Sequence, residues 1–458
     1  MSITATTIWE IRADGNNANG GGFDITLGGT DYSQQAAAVA SGTVTSAAST
    51  VTATTAIFTP AMVGNLITDG TTWKQITAYT SSTIVTVDSA PSWTAASIKV
   101  GGALASITAL PSTLIDGWLI YLRGAAGTIN VASNIVFAGG GAGLSPARFI
   151  GYTSTRGDNG RPTLQASSTC TTVLSLGASC WAYTIENLII DCNNVANIGI
   201  TYAMTYPAEV AYCKVINFKQ YGINLNVPSG PLATCRQCEV TAGESGATAG
   251  ITGGTSAVMV DRCWVHDNPC VGIVANLNWI IQRCRITNNT GASSDGIQTS
   301  YGSAVLDCTI HGNGRDGINY TQVYAIGVNY RGNIITSNGR YGMNFSTATL
   351  FPGGPYRTWD NNAYYNNTSG ARSTSTGASS GLDITLTGLP YNNAAANDFS
   401  LNSQSGQGAA CRAARIPGAL PGTGTDYLDM GAMQSQALAI SVTSIQSMVF
   451  EPMSVAGY

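Results

Sequence analysis

The chain has 458 residues, a formal net charge of −4 and only 10% charged residues, against about a quarter in an ordinary soluble domain. Its four lysines, Lys74, Lys99, Lys214 and Lys219, form no basic stripe, which argues against a nucleic-acid partner. Met1-Ser2-Ile3-Thr4 lacks the basic and apolar parts of a leader, and the apolar stretch at 437–450 is interrupted by Ser, Thr and Gln; the expectation is a protein made in a cytoplasm, without membrane insertion.

In chain order, residues 1–40 form a Gly-rich opening, with Trp9-Glu10-Ile11-Arg12 followed by Asn19-Gly20-Gly21-Gly22-Phe23-Asp24. Residues 41–105 read as a small all-β unit of Thr/Val alternations such as Thr83-Ile84-Val85-Thr86-Val87, broken by turns at Asp69-Gly70 and Pro91-Ser92. A long regular body is expected over 106–381, beginning near Asp116-Gly117-Trp118-Leu119. Residues 382–434 are expected to cap it by sealing its last coil, because an exposed parallel edge templates aggregation. The final segment, 435–458, is apolar and Ser-rich and is expected to dock on something.

The body is repetitive. Asn187, Cys213, Cys238, Cys263, Cys284, Cys308 and Asn333 recur at intervals of 26, 25, 25, 21, 24 and 25 residues, each followed two residues later by Ile or Val. A second ladder runs through Gly199-Ile200, Gly222-Ile223, Gly250-Ile251, Gly272-Ile273, Gly296-Ile297, Gly317-Ile318 and Gly342-Met343. Within a unit, apolar and polar residues alternate with period two, as in Cys263-Trp264-Val265-His266, which means short strands. Such strands cannot bury their apolar faces alone, whereas coils stacked about 4.8 Å apart do so and pair their backbones. A parallel β-helix follows. Asn268, Asn289, Asn313 and Asn338, five residues past their rungs, predict an asparagine ladder at one bend, and Gly before Ile predicts a second, permissive corner.

These repeats resemble the right-handed parallel β-helix superfamily that includes pectate lyases and phage tailspikes. The ending Asp398-Phe399-Ser400-Leu401 … Asp429-Met430-Gly431-Ala432 is similar to closing segments of such helices. Ile8–Arg12, Asn19–Asp24 and Phe149–Asp158 resemble the start of phage and metagenomic β-helix proteins. The resemblance implies an all-β virion protein: a right-handed parallel β-helix preceded by a small N-terminal β-rich domain. It further implies a homotrimer, attachment to other virion proteins through residues 1–105, and contact with a host surface polysaccharide. A capsid-decorating or head-fibre protein and a polysaccharide lyase or glycoside hydrolase are the alternatives, since the fold alone licenses none of them.

No residue is assigned as catalytic, cofactor-binding or metal-binding, and no cofactor is expected. The weak candidates for a carboxylate pair are Asp295 and Asp316, each directly before Gly-Ile; a hydrolase needs two carboxylates about 5–9.5 Å apart. Turn residues bonding local N–H groups are the plainer reading. Asp261 and Asp307 precede rungs two coils apart, with Glu239 just after one; because the two aspartates alternate with Arg283 at similar positions, they read as an exposed charge ladder rather than a dyad. His266 and His311 lie three residues past their rungs with Thr287 between, an outward surface pair about 10 Å apart. Cys235-Arg-Gln-Cys238 has CxxC spacing but no companion pair, so buried thiols acting as small hydrophobes are expected. The tyrosines between Tyr202 and Tyr365 are either sugar platforms or packing residues.

Overall fold

A computed structural model describes residues 3–432 except 140–145, 168, 178–182, 204–207, 227–232, 256, 323–326, 346–358, 374–381, 413 and 415–428. The C-terminal segment 435–458 therefore lies outside the described residues, as do Tyr206, Tyr324 and Tyr356.

Three sheets of eleven strands each run along the body. The first ends at Asn329–Arg331, the second runs from Ile129–Val131 to Ile384–Thr385, and the third from Thr113–Leu114 to Gly370–Arg372. Successive coils pair in parallel and in register, as with Val215, Val240, Val265, Ile286 and Ile310. The Gly-Ile ladder is continuous from Ile200 through Ile223, Ile251, Ile273, Ile297 and Ile318 to Met343. All of these side chains are buried.

The glycines of that ladder have a different purpose from the one expected. They lie within strands or directly before one, as at Gly296 and Gly317, and not in left-handed corners. A Cβ on Gly222 would fall 2.5 Å from Val240 Cγ1 and 2.7 Å from the Gly250 carbonyl oxygen; close backbone approach, not conformational freedom, demands glycine there.

The left-handed corner instead precedes the rung. Tyr212, Gln237, Arg262, Arg283 and Asp307 have φ between 53° and 56°. Asn187 shares this conformation at φ 58°, so it belongs to the corner column. Ile190, not Ile189, pairs with Val215, which makes Leu188 the first rung. Above Cys308 the rung changes to asparagine: Asn333 Nδ2 donates to Asn362 Oδ1 at 2.9 Å and to Val305 O at 2.8 Å. The thiols below make the equivalent bond, as from Cys284 Sγ to Val260 O at 3.4 Å.

The asparagine ladder forms and extends one coil further. Nδ2 donates to the next Oδ1 from Asn268 to Asn289, Asn313, Asn338 and Asn367 at 2.8–3.0 Å. Each Nδ2 also donates to a carbonyl of the coil below, such as Ile286 O for Asn313. The Oδ1 atoms accept backbone N–H groups of Asn289, Asn313 and Asn338. Each buried amide is thus satisfied at both ends.

The N-terminus departs from the expected layout. Thr7–Arg12 pairs in parallel with Leu119–Arg123, so the helix begins at Thr7 rather than near Asp116, and residues 1–40 are not a separate segment. Trp9 and Ile11 point into the core and are fully buried, with Trp9 5.1 Å from Trp118 between ring centroids. Residues between these two strands include a closed antiparallel barrel of six strands from Ala40–Ala47 to Ala96–Val100. Its core holds Val44, Val51, Ile67, Ile76, Val85 and Ile98. The barrel is joined to the first coil through Gly20 N–H to Gly101 O, Asp24 N–H to Gly64 O and a Phe23–Asn65 bridge.

At the other end, Ile384–Thr385 adds a last strand to the second sheet. Tyr391–Asn393 and Asp398–Leu401 then form an antiparallel hairpin. This hairpin does not lie over the end of the helix. Tyr391, Phe399, Leu401, Cys411 and Met430 pack on Ile334 and Ala363, along the outside of the second sheet. The outward residues of that sheet are apolar there, so the side rather than the end offers area to bury.

Candidate functional site

Asp295 and Asp316 do occupy adjacent coils, but both are fully buried and paired. Arg315 Nε donates to Asp295 Oδ1 at 2.7 Å and Arg340 Nε to Asp316 Oδ1 at 2.9 Å, each with a second guanidinium bond. Asp295 Oδ1 also accepts the Asp316 N–H, and Asp316 Oδ1 the Tyr341 N–H. Every acceptor on these carboxylates has a structural donor, which fits the corner reading. Asp261 and Asp307 are not equivalent: Asp261 ends a first-sheet strand and pairs with Arg283 at 2.6 Å, whereas Asp307 sits in the left-handed corner.

The ten described cysteines are all free and buried. The sulfurs of Cys235, Cys238 and Cys263 lie within 4.8 Å of one another. Their surroundings favour S–H: Cys238 Sγ donates to Val210 O at 3.5 Å and Cys263 Sγ to Cys235 O at 3.4 Å. Hydrogen bonds with neighbouring thiols push Cys235, and burial pushes Cys263, well above the ordinary cysteine range, while at Cys238 burial is opposed by hydrogen bonds from the thiols around it, which draw it down. Thiolates facing carbonyl oxygens in an apolar core are strongly disfavoured, so the cluster reads as packing. Tyr202, Tyr320, Tyr330 and Tyr364 are likewise buried in the core, which leaves them unable to act as sugar platforms.

The arrangement that sequence reasoning missed lies on the outward face of the second sheet. Lys214, Glu239, Trp264 and Arg285 stand in register on four successive coils. A neighbouring column holds Ile216, Thr241, His266 and Thr287. Each of the four residues is the polar or aromatic member of a period-two strand whose Val or Ile faces the core. The signal was present at rung +1, where Glu239 alone of the four stood out as a charge beside a rung.

The groups are closely connected. Lys214 Nζ is 2.8 Å from Glu239 Oε1, and His266 Nε2 is 3.3 Å from the same oxygen. His266 Nδ1 is 2.7 Å from Asp267 Oδ2. The Trp264 and His266 rings stack with centroids 3.7 Å apart, and the Arg285 guanidinium carbon lies 4.3 Å from the Trp264 ring centroid. Trp264 Nε1 donates to Thr287 Oγ1 at 3.2 Å. The hydrogen bond with His266, together with Lys214, holds the Glu239 carboxyl down at about 2. Burial against the indole lowers the Arg285 pKa. Among the described residues no carboxylate oxygen comes within 4 Å of the Arg285 guanidinium.

Both columns continue upward to Thr309 and His311, and there the surface closes. His311 packs edge-on against Tyr391 and Phe399, each 5.6 Å away between centroids. Thr309 Oγ1 accepts the Ala432 N–H at 3.0 Å, and Thr336 Oγ1 lies 3.2 Å from Tyr391 Oη. The expected outward surface pair of histidines is not found as such: His266 is only 6% exposed, packed on Trp264 and bonded to Glu239 and Asp267. Both stand in one column two coils apart, but His311 lies beneath the hairpin, where burial depresses its pKa to about 4.

Residues 196–352 match a family model described as the right handed beta helix region. With the parallel coils above, this identifies the body as a right-handed parallel β-helix. Solved structures with a similar backbone include the pectate lyase Pel9A, at 12% identity and a TM-score of 0.46, over 72% of this chain and 91% of that one. The catalytic unit of a GH87 α-1,3-glucanase from Streptomyces thermodiastaticus aligns at 11% identity and a TM-score of 0.33, over 74% of this chain and 88% of that one. ORF18 of Geobacillus virus E2 aligns at 12% identity and a TM-score of 0.30, over 59% of this chain and 53% of that one. These likenesses carry no argument about activity. No curated protein matches the chain.

Proposed function

We propose that this chain is a bacteriophage virion protein, a trimeric tailspike or tail fibre that contacts a host-surface polysaccharide through the outward face of its second sheet. The observation that carries the reading is the lane of Lys214, Glu239, Trp264 and Arg285, each partly exposed among the described residues, with His266 stacked on the indole and the C-terminal hairpin at the upper end. Sugars present hydroxyl groups along their edges and C–H groups on their faces. A lane that mixes hydrogen-bonding charges with an indole supplies partners for both. A rigid stack of strands holds those groups at fixed spacing, which lowers the entropy lost on binding. Residues 1–105, whose barrel is bonded into the first coil, serve as the attachment end towards other virion proteins.

The test combines gold-labelled antibody imaging of intact particles with retention of purified bacterial envelope polysaccharides by the full chain. Label at the tail, and a retained polysaccharide lost with Trp264→Ala, is the expected result. Label spread over the capsid would make this a decoration protein and overturn the reading, as would failure to retain any polysaccharide.

A further inference from the structure

We infer that the lane recognises the terminus of a glycan chain rather than an internal stretch. This rests on the proposed glycan contact and adds a direction to it. The two columns run parallel to the helix axis, so a bound chain lying along them must pass from one coil to the next. From Lys214 to Arg285 the lane spans three coil steps, about 14 Å, enough for a short run of sugar rings.

At the next step it stops. Thr309 would be the fifth outward residue of the first column, but it is 1% exposed and its hydroxyl is taken by the Ala432 N–H. His311, its counterpart in the second column, lies against Tyr391 and Phe399. Ile334 and Thr336, one coil higher, are buried by the same hairpin. A polymer cannot continue along the lane past Arg285 without displacing the hairpin's apolar contacts. In the opposite direction no such wall stands among the described residues: Ile189, Gln165 and Thr163 on the preceding coils remain partly exposed, and Asp191, though buried, is bonded to its own neighbours Gln165 and Asn217. The lane is open at one end and closed at the other. Arg285 stands at the closed end with no carboxylate partner among the described residues, its five N–H donors directed by stacking on Trp264, in position to bond the oxygens of the last sugar.

The experiment takes the polysaccharide that the full chain retains, fractionates it into chains of increasing length, and measures by calorimetry how many protein molecules each chain binds. Terminal recognition predicts a constant number per chain whatever its length. It also predicts that short oligosaccharides compete with the polymer at similar affinity per chain end, and that Arg285→Ala weakens both about tenfold or more. A number of bound proteins that grows in proportion to chain length overturns this inference while leaving the glycan contact intact. No retained polysaccharide at all overturns both. Arg285→Lys separates loss of the fork from loss of charge: binding restored by Lys to the wild-type level would overturn the role given to the guanidinium.

Discussion

His266 and His311 stand in the same column, on the same face of the same sheet, two coils apart, and live in different worlds. His266 is only 6% exposed and is held by the polar and aromatic groups of its own face, Glu239, Asp267 and the Trp264 ring. His311 lies under Tyr391 and Phe399. The repeat places both side chains outward and decides nothing more. What separates the lower and upper halves of this face is a hairpin that folds back from far along the chain. Where it lies, the outward residues turn apolar or small: Ile334 and Ala363 replace Trp264 and Arg285.

The comparison breaks most severely if the hairpin is undocked. Phe399→Ala removes a ring that is 1% exposed and packed on His311 and Tyr391, and is expected to cost about 4 kcal/mol, read as a lowered denaturant midpoint. The Trp264 surroundings should keep their fluorescence in that variant at low denaturant; a simultaneous change would mean the two halves are one cooperative unit. Beneath both halves runs the asparagine ladder, and Asn313→Ala leaves the Asn289 amide and backbone N–H without their acceptor. That change is expected to cost about 3 kcal/mol, and a thermal midpoint unmoved from wild type would show the ladder to be dispensable.

Acid sharpens the contrast. The folded pKa of His311, about 4, lies below its unfolded value of about 6.5, so the unfolded chain binds the extra proton between these values. The stability linked to His311 is complete above pH 6.5, declines as the pH falls towards 4 and is level below it, by up to about 3 kcal/mol in all. His311→Gln should flatten that segment of the stability profile measured by denaturant titration. Glu239 behaves in the same sense over a more acidic window: its folded pKa is depressed to about 2, so its contribution is present above its unfolded value near 4.5 and lost as the pH falls through 2. The smallest effect on stability belongs to the open half. Trp264→Ala is expected to lower the unfolding free energy read from denaturant titration by about 1 kcal/mol or less, because the indole is partly exposed, while abolishing polysaccharide retention. A large destabilisation would recast the lane as a structural seam.

Parts of this arrangement were legible before any coordinates. The Gly-Ile and Cys ladders define the coil because a side chain repeated at each turn must stack on its own kind, and the Asn ladder could be placed to the residue. The first rung was misplaced by one, at Asn187 instead of Leu188, because Asn is equally at home in a left-handed corner and on a rung. Thr7–Arg12 was read apart from the body because only a single strand precedes the barrel, and one strand shows no period. The lane of Lys214, Glu239, Trp264 and Arg285 was overlooked since outward positions vary freely, and no column of unlike residues announces itself.

The sequence alone thus determined the parallel coil, its girth, its buried ladders and which residues point outward, since these follow from local alternation and from stacking between neighbours one coil apart. The tertiary structure alone decided that the barrel is an insertion within the first coil, that Asp295 and Asp316 are held by arginines, and which part of the outward face stays open. Those outcomes depend on contacts between segments with no common period, such as Tyr391 on His311 or Gly101 on Gly20, where burial of the particular surfaces available, rather than repetition, sets the partner.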